Sequence, residues 1–197
     1  NPLSSSEFEY LSKKNCIILD VRSKFDFSSS HIPKSLFIGL EGNFAPWVGS
    51  VIGDINTPIL LVTDKNKEKE TIKRLARVGF DNILGYLSDG IESWVKNGRE
   101  IDSIKNVSAD EILSKPLEII DVRTPAEYLK KHVKSSINLP LNNYKKNKLK
   151  TLSNNPFYVH CQSGYRSLIY LSILKKSGIH SGLNVIGGFK SIEKLLD

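Results

Sequence analysis

The chain contains no methionine and only two cysteines, Cys16 and Cys161, among its 197 residues. Two cysteines so far apart do not make a disulfide scaffold or a zinc site. The histidines, His31, His132, His160 and His180, show no metal-ligand spacing, so neither a metal nor a cofactor is expected. Long apolar runs are missing too. No stretch approaches the length of a membrane span, and nothing at the N-terminus reads as a signal peptide. Few cysteines and no signal peptide set the expectation of a cytoplasmic, reducing location without a membrane partner. The missing methionine adds another expectation. A primary translation product starts with methionine, so a segment starting at Asn1 reads as trimmed or excised from something longer.

What is present is ordinary globular material, 40% hydrophobic and 25% charged. The length suffices for one medium domain or two small ones. The net charge of +7 is carried by scattered lysines such as Lys13, Lys67, Lys96, Lys130 and Lys175, which reads as a solvated surface. A sharper reading is electrostatic attraction of small anionic substrates. The cluster Lys145, Lys146, Lys148 and Lys150 has no array of stacking aromatics beside it, which argues against a nucleic-acid partner.

The chemistry concentrates in His160-Cys161-Gln162-Ser163-Gly164-Tyr165-Arg166-Ser167. The apolar run Phe157-Tyr158-Val159 precedes it, and a helix-patterned segment with Leu168, Ile169, Leu171, Ile173 and Leu174 follows. Cys161 therefore sits where a buried strand ends and a helix begins. Backbone N–H groups at such a junction lack intrahelical partners and carry the positive end of the helix dipole. They close around anions, a thiolate included, which makes the sulfur a nucleophile. Gly164 permits a tight turn, and Arg166 adds a fixed charge with planar donors. His160 is Cys161's neighbour along a strand, points to the opposite face, and reads as structural.

The chain also repeats itself. Ile18-Leu19-Asp20-Val21-Arg22 matches Ile119-Ile120-Asp121-Val122-Arg123, and His31 and His132 each lie eleven residues after the Asp. Asp26-Phe27 matches Glu127-Tyr128, Ser35 matches Ser136, and Asp89-Gly90 corresponds to Gly187-Gly188. Ser4-x-x-Glu7 and Ser108-x-x-Glu111 both read as capping boxes. This is domain duplication with a boundary near Asp102–Asn106, giving units 1–103 and 104–197. Within each unit short, continuously apolar strands alternate with helices. The first has strands at 17–21, 36–38, 59–62 and 83–87, with helices at 24–30, 68–78 and 91–97; the second has strands at 119–122, 137–139, 157–159 and 183–186. The expected fold class is α/β: in each unit a mostly parallel central sheet flanked by helices. Ligands in such sheets bind beyond the carboxyl ends of the strands, where Cys161 lies. Cys16 reads as a small core residue, and Asp20/Arg22 and Asp121/Arg123 as structural ion pairs. His31 and His132 are expected to bond neighbouring backbone.

The Cys161 loop resembles the active-site loop of rhodanese-type sulfurtransferases, and the whole chain resembles a tandem rhodanese-like pair. In the second unit the resemblance rests on Asp121-Val122-Arg123, Glu127-Tyr128, His132-Val133, Ile137-Asn138, the loop and Gly187-Gly188. In the first it rests on Asp20-Val21-Arg22, His31-Ile32-Pro33 and Trp94. Departures fall at Ser30 and Lys131, at Pro33-Lys34 and Lys134-Ser135, and at Ile192, where the family tends to have Gly, Pro-Gly and Trp. Asp64 reads as standing where the second unit has Cys161, with no loop glycine and Lys67 near the arginine position, so the first unit is expected to be silent. Phe44-Ala45-Pro46-Trp47-Val48-Gly49 has no counterpart in the second unit. It is similar to a stretch in rhodanese pairs fused behind a metallo-β-lactamase-type domain, including persulfide dioxygenase fusions. It reads equally as an aromatic loop packing at a domain interface.

The resemblance implies that Cys161 attacks the outer sulfur of thiosulfate or a related donor. The resulting persulfide is held by the N–H groups of Gln162, Ser163, Gly164, Tyr165 and Arg166 and by the arginine's charge, and a thiol takes the sulfur. The partners implied are a small anionic sulfur donor and a thiol acceptor. Two other classes remain: a non-enzymatic sulfur carrier or interaction module, and a small cysteine phosphatase or arsenate reductase. The last needs a loop one residue longer than the four residues between Cys161 and Arg166.

Overall fold

The computed structural model describes residues 1–145 and 155–196. Lys146, Lys148 and Lys150 lie outside the described residues. The chain divides into two compact units, Asn1–Ser103 and Ile104–Asp197.

The first unit runs β1 (Pro2–Leu3), α1 (Ser5–Ser12), β2 (Ile17–Asp20), α2 (Lys24–Ser29), β3 (Leu36–Phe37), α3 (Phe44–Ile52), β4 (Ile59–Val62), α4 (Glu68–Ala76), β5 (Ile83–Leu87) and α5 (Gly90–Lys96). Its sheet has the order β1-β5-β4-β2-β3 with every pair parallel. The second unit repeats the plan with β6 (Asn106–Val107), α6 (Ala109–Ser114), β7 (Glu118–Asp121), α7 (Pro125–Lys130), β8 (Ser136–Asn138), a 3-10 turn at Leu141–Asn143, β9 (Phe157–His160), α8 (Tyr165–Lys176), β10 (Gly182–Val185) and α9 (Phe189–Glu193). Its sheet order is β6-β10-β9-β7-β8, again all parallel. Both units are thus α/β with parallel sheets flanked by helices. Among the described residues no helix is long and apolar enough to cross a membrane.

The central strands are buried on both faces, which is why their sequences are apolar without alternation. In β4, Leu60 and Val62 join Phe8, Ile18, Leu87 and Trp94 in one core cluster, while Ile59 and Leu61 are buried on the other face. In the second unit Tyr158 packs with Val107, Ile112, Ile119, Val185 and Phe189. Ile192, fully buried in that cluster, fills the place that Trp94 takes in the first unit. Helix α8 is buried over eight consecutive residues, Ser167–Leu174. A helix enclosed on all sides needs no polar face.

The helix starts follow local chemistry. Ser4 and Glu7 form the expected capping box at α1. Ser108 makes no side-chain cap at α6: the Glu111 amide donates to the Ser108 carbonyl, and the Glu111 carboxylate lies 3.6 Å from Lys115. A box that the sequence reading missed opens α7: Thr124 caps Glu127, and Pro125 takes the first helical position. The stretch Phe44–Gly49 is not a loop but the start of α3. Its Phe44, Val48 and Val51 are buried at the i, i+4, i+7 spacing of one helix face, and Pro46 is tolerated in the first turn. Arg74 of α4 lies 5.0 Å above the Phe44 ring, so packing within the unit accounts for this aromatic residue. Cys16, half-buried ahead of β2, bonds the Leu11 carbonyl through its sulfur.

His31 and His132 each lie 2.8 Å, through Nδ1, from the carbonyl oxygen four residues back, and each stacks on the ring there, Phe27 or Tyr128. Beyond His31 the chain turns sharply, with the Ser35 amide donating to the Ile32 carbonyl. Lys34 occupies the third position of that turn with φ 65°. A side chain in the left-handed region costs roughly 1–2 kcal/mol, part of which glycine returns through greater unfolded-state freedom. Lys34→Gly should therefore raise the unfolding free energy of the first unit by up to about 1 kcal/mol in urea titration. A loss of stability would mean that the lysine side chain makes a compensating contact.

Candidate active site

The second sheet changes direction between β7 and β9. β8 lies outside β7, whereas β10 lies outside β9. The strand ends at such a switch point leave a crevice for ligands. The last residue of β7 is Asp121, the loop after it supplies Arg123, and the loop after β9 supplies Cys161.

Asp121 is fully buried and Arg123 nearly so. Arg123 donates from Nη2 to Asp121 at 2.6 Å and to the Lys131 carbonyl at 2.9 Å, and from Nη1 to Gln162 Oε1 at 3.3 Å. Its guanidinium carbon sits 3.8 Å from the centre of the Phe189 ring. The first unit repeats the core of this arrangement: Arg22 bonds Asp20 at 2.7 Å and the Ser30 carbonyl at 2.7 Å. These pairs fix loops rather than react.

Cys161 is 1% exposed and directly follows β9. Its sulfur accepts from the Gly164 amide at 3.2 Å, and the Ser167 hydroxyl lies 3.8 Å away. Gly164, at φ 91°, turns the chain into α8. The loop's outer side is held by α9: the Phe189 amide donates to the Cys161 carbonyl at 2.7 Å and the Lys190 amide to the Gln162 carbonyl at 3.2 Å. In trans peptides those bonds turn the N–H groups of Gln162 and Ser163 away from α9. Ser163 is exposed, whereas Gln162, Tyr165 and Arg166 are half-buried around the sulfur. His160 is fully buried and 3.8 Å from Asp121, and its Nε2 has no hydrogen-bond partner among the described residues. Burial pushes its pKa down, so the ring is neutral and structural.

The structure brings further residues to this loop. Glu127 forms a bidentate pair with Arg166, at 2.6 and 2.7 Å. The Arg166 charge is thus matched by a carboxylate instead of facing the sulfur alone. The hydrogen bonds from Arg166 and then Thr124 lower the Glu127 pKa to about 2. Ser167 donates to Asn184 at 2.7 Å, and Asn184 in turn donates to Asn106, tying α8 to β10 and β6. Glu127 was visible in the repeat and in the Thr124-x-x-Glu127 box; nothing in the sequence joined it to Arg166.

The first unit has a different chemistry at the same place. Asp20 pairs with Val62 as Asp121 pairs with His160. That register puts Thr63, not Asp64, at the position of Cys161, and Asp64 at that of Gln162. Asn66, at φ 68°, replaces Gly164 as the turning residue. Glu68 then falls at the position of Arg166, not Lys67. A cavity of about 410 Å³ opens there, lined by Thr63, Asp64, Asp26, Asp89, Glu92 and Arg22 among others. Burial and the neighbouring Asp26 charge push the Asp64 pKa up. An anion is repelled from such a site. Among the described residues no group of three His, Cys, Asp or Glu side chains could hold a metal ion.

Two predictions test this geometry. A Cβ on Gly188 would lie 2.4 Å from the Cys161 carbonyl oxygen and 2.8 Å from the Ser163 nitrogen. Gly188→Ala should displace the loop, seen as a changed rate of Cys161 alkylation by iodoacetamide without global unfolding; an unchanged rate would show that the loop is not set from α9. The depressed Glu127 pKa stabilises the fold fully above the unfolded value of 4.5, and that contribution is lost as pH falls towards about 2. Glu127→Gln should flatten the acid limb of stability across that window, and an unaltered limb would show that the ion pair contributes nothing.

A family model described as the rhodanese-like domain matches residues 5–97 and again 105–195. The Bacillus subtilis protein named "Putative sulfur carrier protein YrkF" is 31% identical over 111 residues, covering 53% of this chain and 58% of that protein. The uncharacterised B. subtilis protein YqhL is 36% identical over 73 residues, covering 37% of this chain and 58% of its own. The chain thus spans less than two thirds of either relative. Among solved structures, a rhodanese-like domain protein from Staphylococcus aureus is 27% identical with a TM-score of 0.42, covering 45% of this chain and 91% of that one. A 3-mercaptopyruvate sulfurtransferase from Leishmania major is 15% identical with a TM-score of 0.43, covering 98% of this chain and 74% of that one. The chain belongs to the rhodanese-like family and carries two of its domains in tandem.

Proposed function

We propose that the second unit transfers a sulfane sulfur from thiosulfate or a persulfide to a thiol through a persulfide on Cys161, and that the first unit is catalytically silent. The observation that carries this is the position of the Cys161 sulfur. It lies at the end of β9, within reach of the Gly164 amide, at the mouth of a loop that ends in Arg166. The Cys161 thiolate attacks the outer sulfur of the donor. A Cys161–sulfur bond forms as the donor's S–S bond breaks, and the electron pair leaves on sulfite or on a thiolate. An acceptor thiolate, or cyanide in an assay, then takes the outer sulfur and returns Cys161 as thiolate. No net oxidation occurs, and no general base is required once the thiol is ionised. Loop amides and the amino end of α8 stabilise the charge on sulfur as it moves.

Family membership supports a sulfurtransferase, and the printed name of YrkF supports sulfur handling of a related kind. That name also favours a second reading, in which Cys161 holds sulfur for delivery to another protein without turning over small donors. The phosphatase reading is disfavoured by the short spacing from Cys161 to Arg166. In the first unit Thr63 offers an alcohol where the second has a thiol, and Glu68 and Asp26 replace the Arg166–Glu127 pair. This supports the silent assignment.

The test is mass spectrometry of the protein after exposure to thiosulfate or a thiol persulfide, followed by cyanide-dependent thiocyanate release. Wild-type protein should gain one sulfur on Cys161 and turn over. Cys161→Ala should fall to background in both measurements with an unchanged circular dichroism spectrum. Turnover retained in Cys161→Ala would remove the assignment. Sulfur loading without turnover would leave the carrier reading in its place.

A further inference from the structure

The geometry points to Glu127 as the residue that sets donor specificity, turning the Cys161 loop away from compact dianions such as thiosulfate and towards donors of low charge such as a small thiol persulfide. This inference rests on the sulfur-transfer reading. It starts from the charges around the loop. A guanidinium presents its N–H donors in a fork that fits one carboxylate. Glu127 occupies that fork at 2.6 and 2.7 Å. The carboxylate is itself fixed, because its Oε2 accepts from the Thr124 amide at 3.0 Å and the Thr124 hydroxyl at 2.8 Å. It is built into the amino end of α7 and does not drift aside at no cost.

Among the described residues the other cations offer a dianion little more. The Arg123 charge is taken by Asp121 at 2.6 Å. Lys131 lies 3.2 Å from Glu193. Lys190 is exposed, so solvent screens its charge. Among the described residues the two arginines and two carboxylates that pair beside the loop sum to zero. What remains attractive to an anion is the loop's amides, the helix dipole and the Arg166 donor that still reaches Cys161, which act at short range on the sulfur being transferred. A thiosulfate dianion must either displace Glu127 from a bidentate pair or settle beside a full negative charge. A donor whose charge is confined to the transferred sulfur avoids both. Glu127 stays ionised across the physiological range, so the discrimination does not depend on pH there.

The test uses the full chain with cyanide as acceptor and two donors, thiosulfate and the persulfide of 2-mercaptoethanol. Glutamine keeps the shape and the capping role of Glu127 while removing its charge. Glu127→Gln should raise kcat/KM for thiosulfate relative to the persulfide by about tenfold or more, mainly through KM, as expected when a like charge is removed. A second measurement needs no variant: higher ionic strength should raise wild-type kcat/KM for thiosulfate relative to the persulfide, because screening weakens the repulsion. An equal loss with both donors in Glu127→Gln would show that the residue only positions Arg166. An unchanged donor ratio, or a wild-type preference for thiosulfate that salt diminishes, would also overturn the inference. Wild-type turnover with an unchanged ratio defeats the inference alone. Wild-type protein that accepts sulfur from neither donor defeats the transfer reading and the inference with it.

Discussion

The site depends on how two peptide planes are turned. The carbonyls of Cys161 and Gln162 are claimed by the amides of Phe189 and Lys190. A buried carbonyl without a donor is costly, so these bonds decide which way the loop faces. They form only because Gly188 has no side chain. Any Cβ there would occupy the space of the loop backbone. Gly187 and Gly188 both have positive φ, at 74° and 59°, a conformation that favours glycine. The amino end of α9 therefore fixes the amino end of α8, and the nucleophile's surroundings are determined by a residue pair 26 and 27 positions further along the chain. The buried Asp121–Arg123 pair braces the same loop from the β7 side through Gln162. Removing one partner of such a pair leaves a buried charge and costs about 3–5 kcal/mol.

Duplication kept this scaffold and changed its charge. Both units retain the strand order, the Asp–Arg pair, the histidine bonded to its own helix, and a positive-φ turn after the central strand. The reactive positions diverged together. Cysteine faces threonine, Arg166 faces Glu68, and Glu127 faces Asp26. Where the second unit pairs an arginine with a carboxylate, the first gathers Asp26, Asp64, Asp89 and Glu92 around a cavity whose cations are Arg22 and Lys65. Restoring a thiol alone would thus leave it in a field that resists ionisation. The fold tolerates both versions because the residues that build the sheet are separate from those that line its carboxyl edge.

Much of this was legible in the sequence. Strands buried on both faces announce themselves by unbroken apolar runs, and 59–62 and 83–87 were placed without error. The internal repeat exposed the duplication because the Asp–Arg pair is a demanding structural feature. Helix ends were less legible. Ser108 carries the sequence signature of a cap, yet the Glu111 amide donates to the Ser108 carbonyl and not to its hydroxyl. Phe44–Gly49 reads as a loop in the sequence because Pro46 and Gly49 mask the helical spacing of Phe44, Val48 and Val51. The position equivalent to Cys161 differs by one residue between sequence and structure. The first loop offers Asp64 as its conspicuous side chain, whereas register is fixed by the strand pairing and puts Thr63 there. Pro58 and Pro156, which open the two strands, carry the same register in the sequence.

The Arg166–Glu127 pair marks the limit of that legibility and also its consequence. The two residues stand 39 apart, on helices that follow different strands. Only the parallel sheet, which brings the ends of β7 and β9 side by side, makes them neighbours. An isolated reading of the loop assigns Arg166 a free positive charge and expects an anion site. In the folded chain that charge is already matched, and the carboxylate that matches it is secured by a capping box whose first role is to start α7. A device that begins a helix thus also sets the electrostatic character of the site. The loop's remaining attraction for sulfur comes from dipoles and amides rather than net charge, and dipoles act strongly only on an atom held against them. Such a site is suited to recognise the terminal sulfur of its donor more than the donor's overall charge.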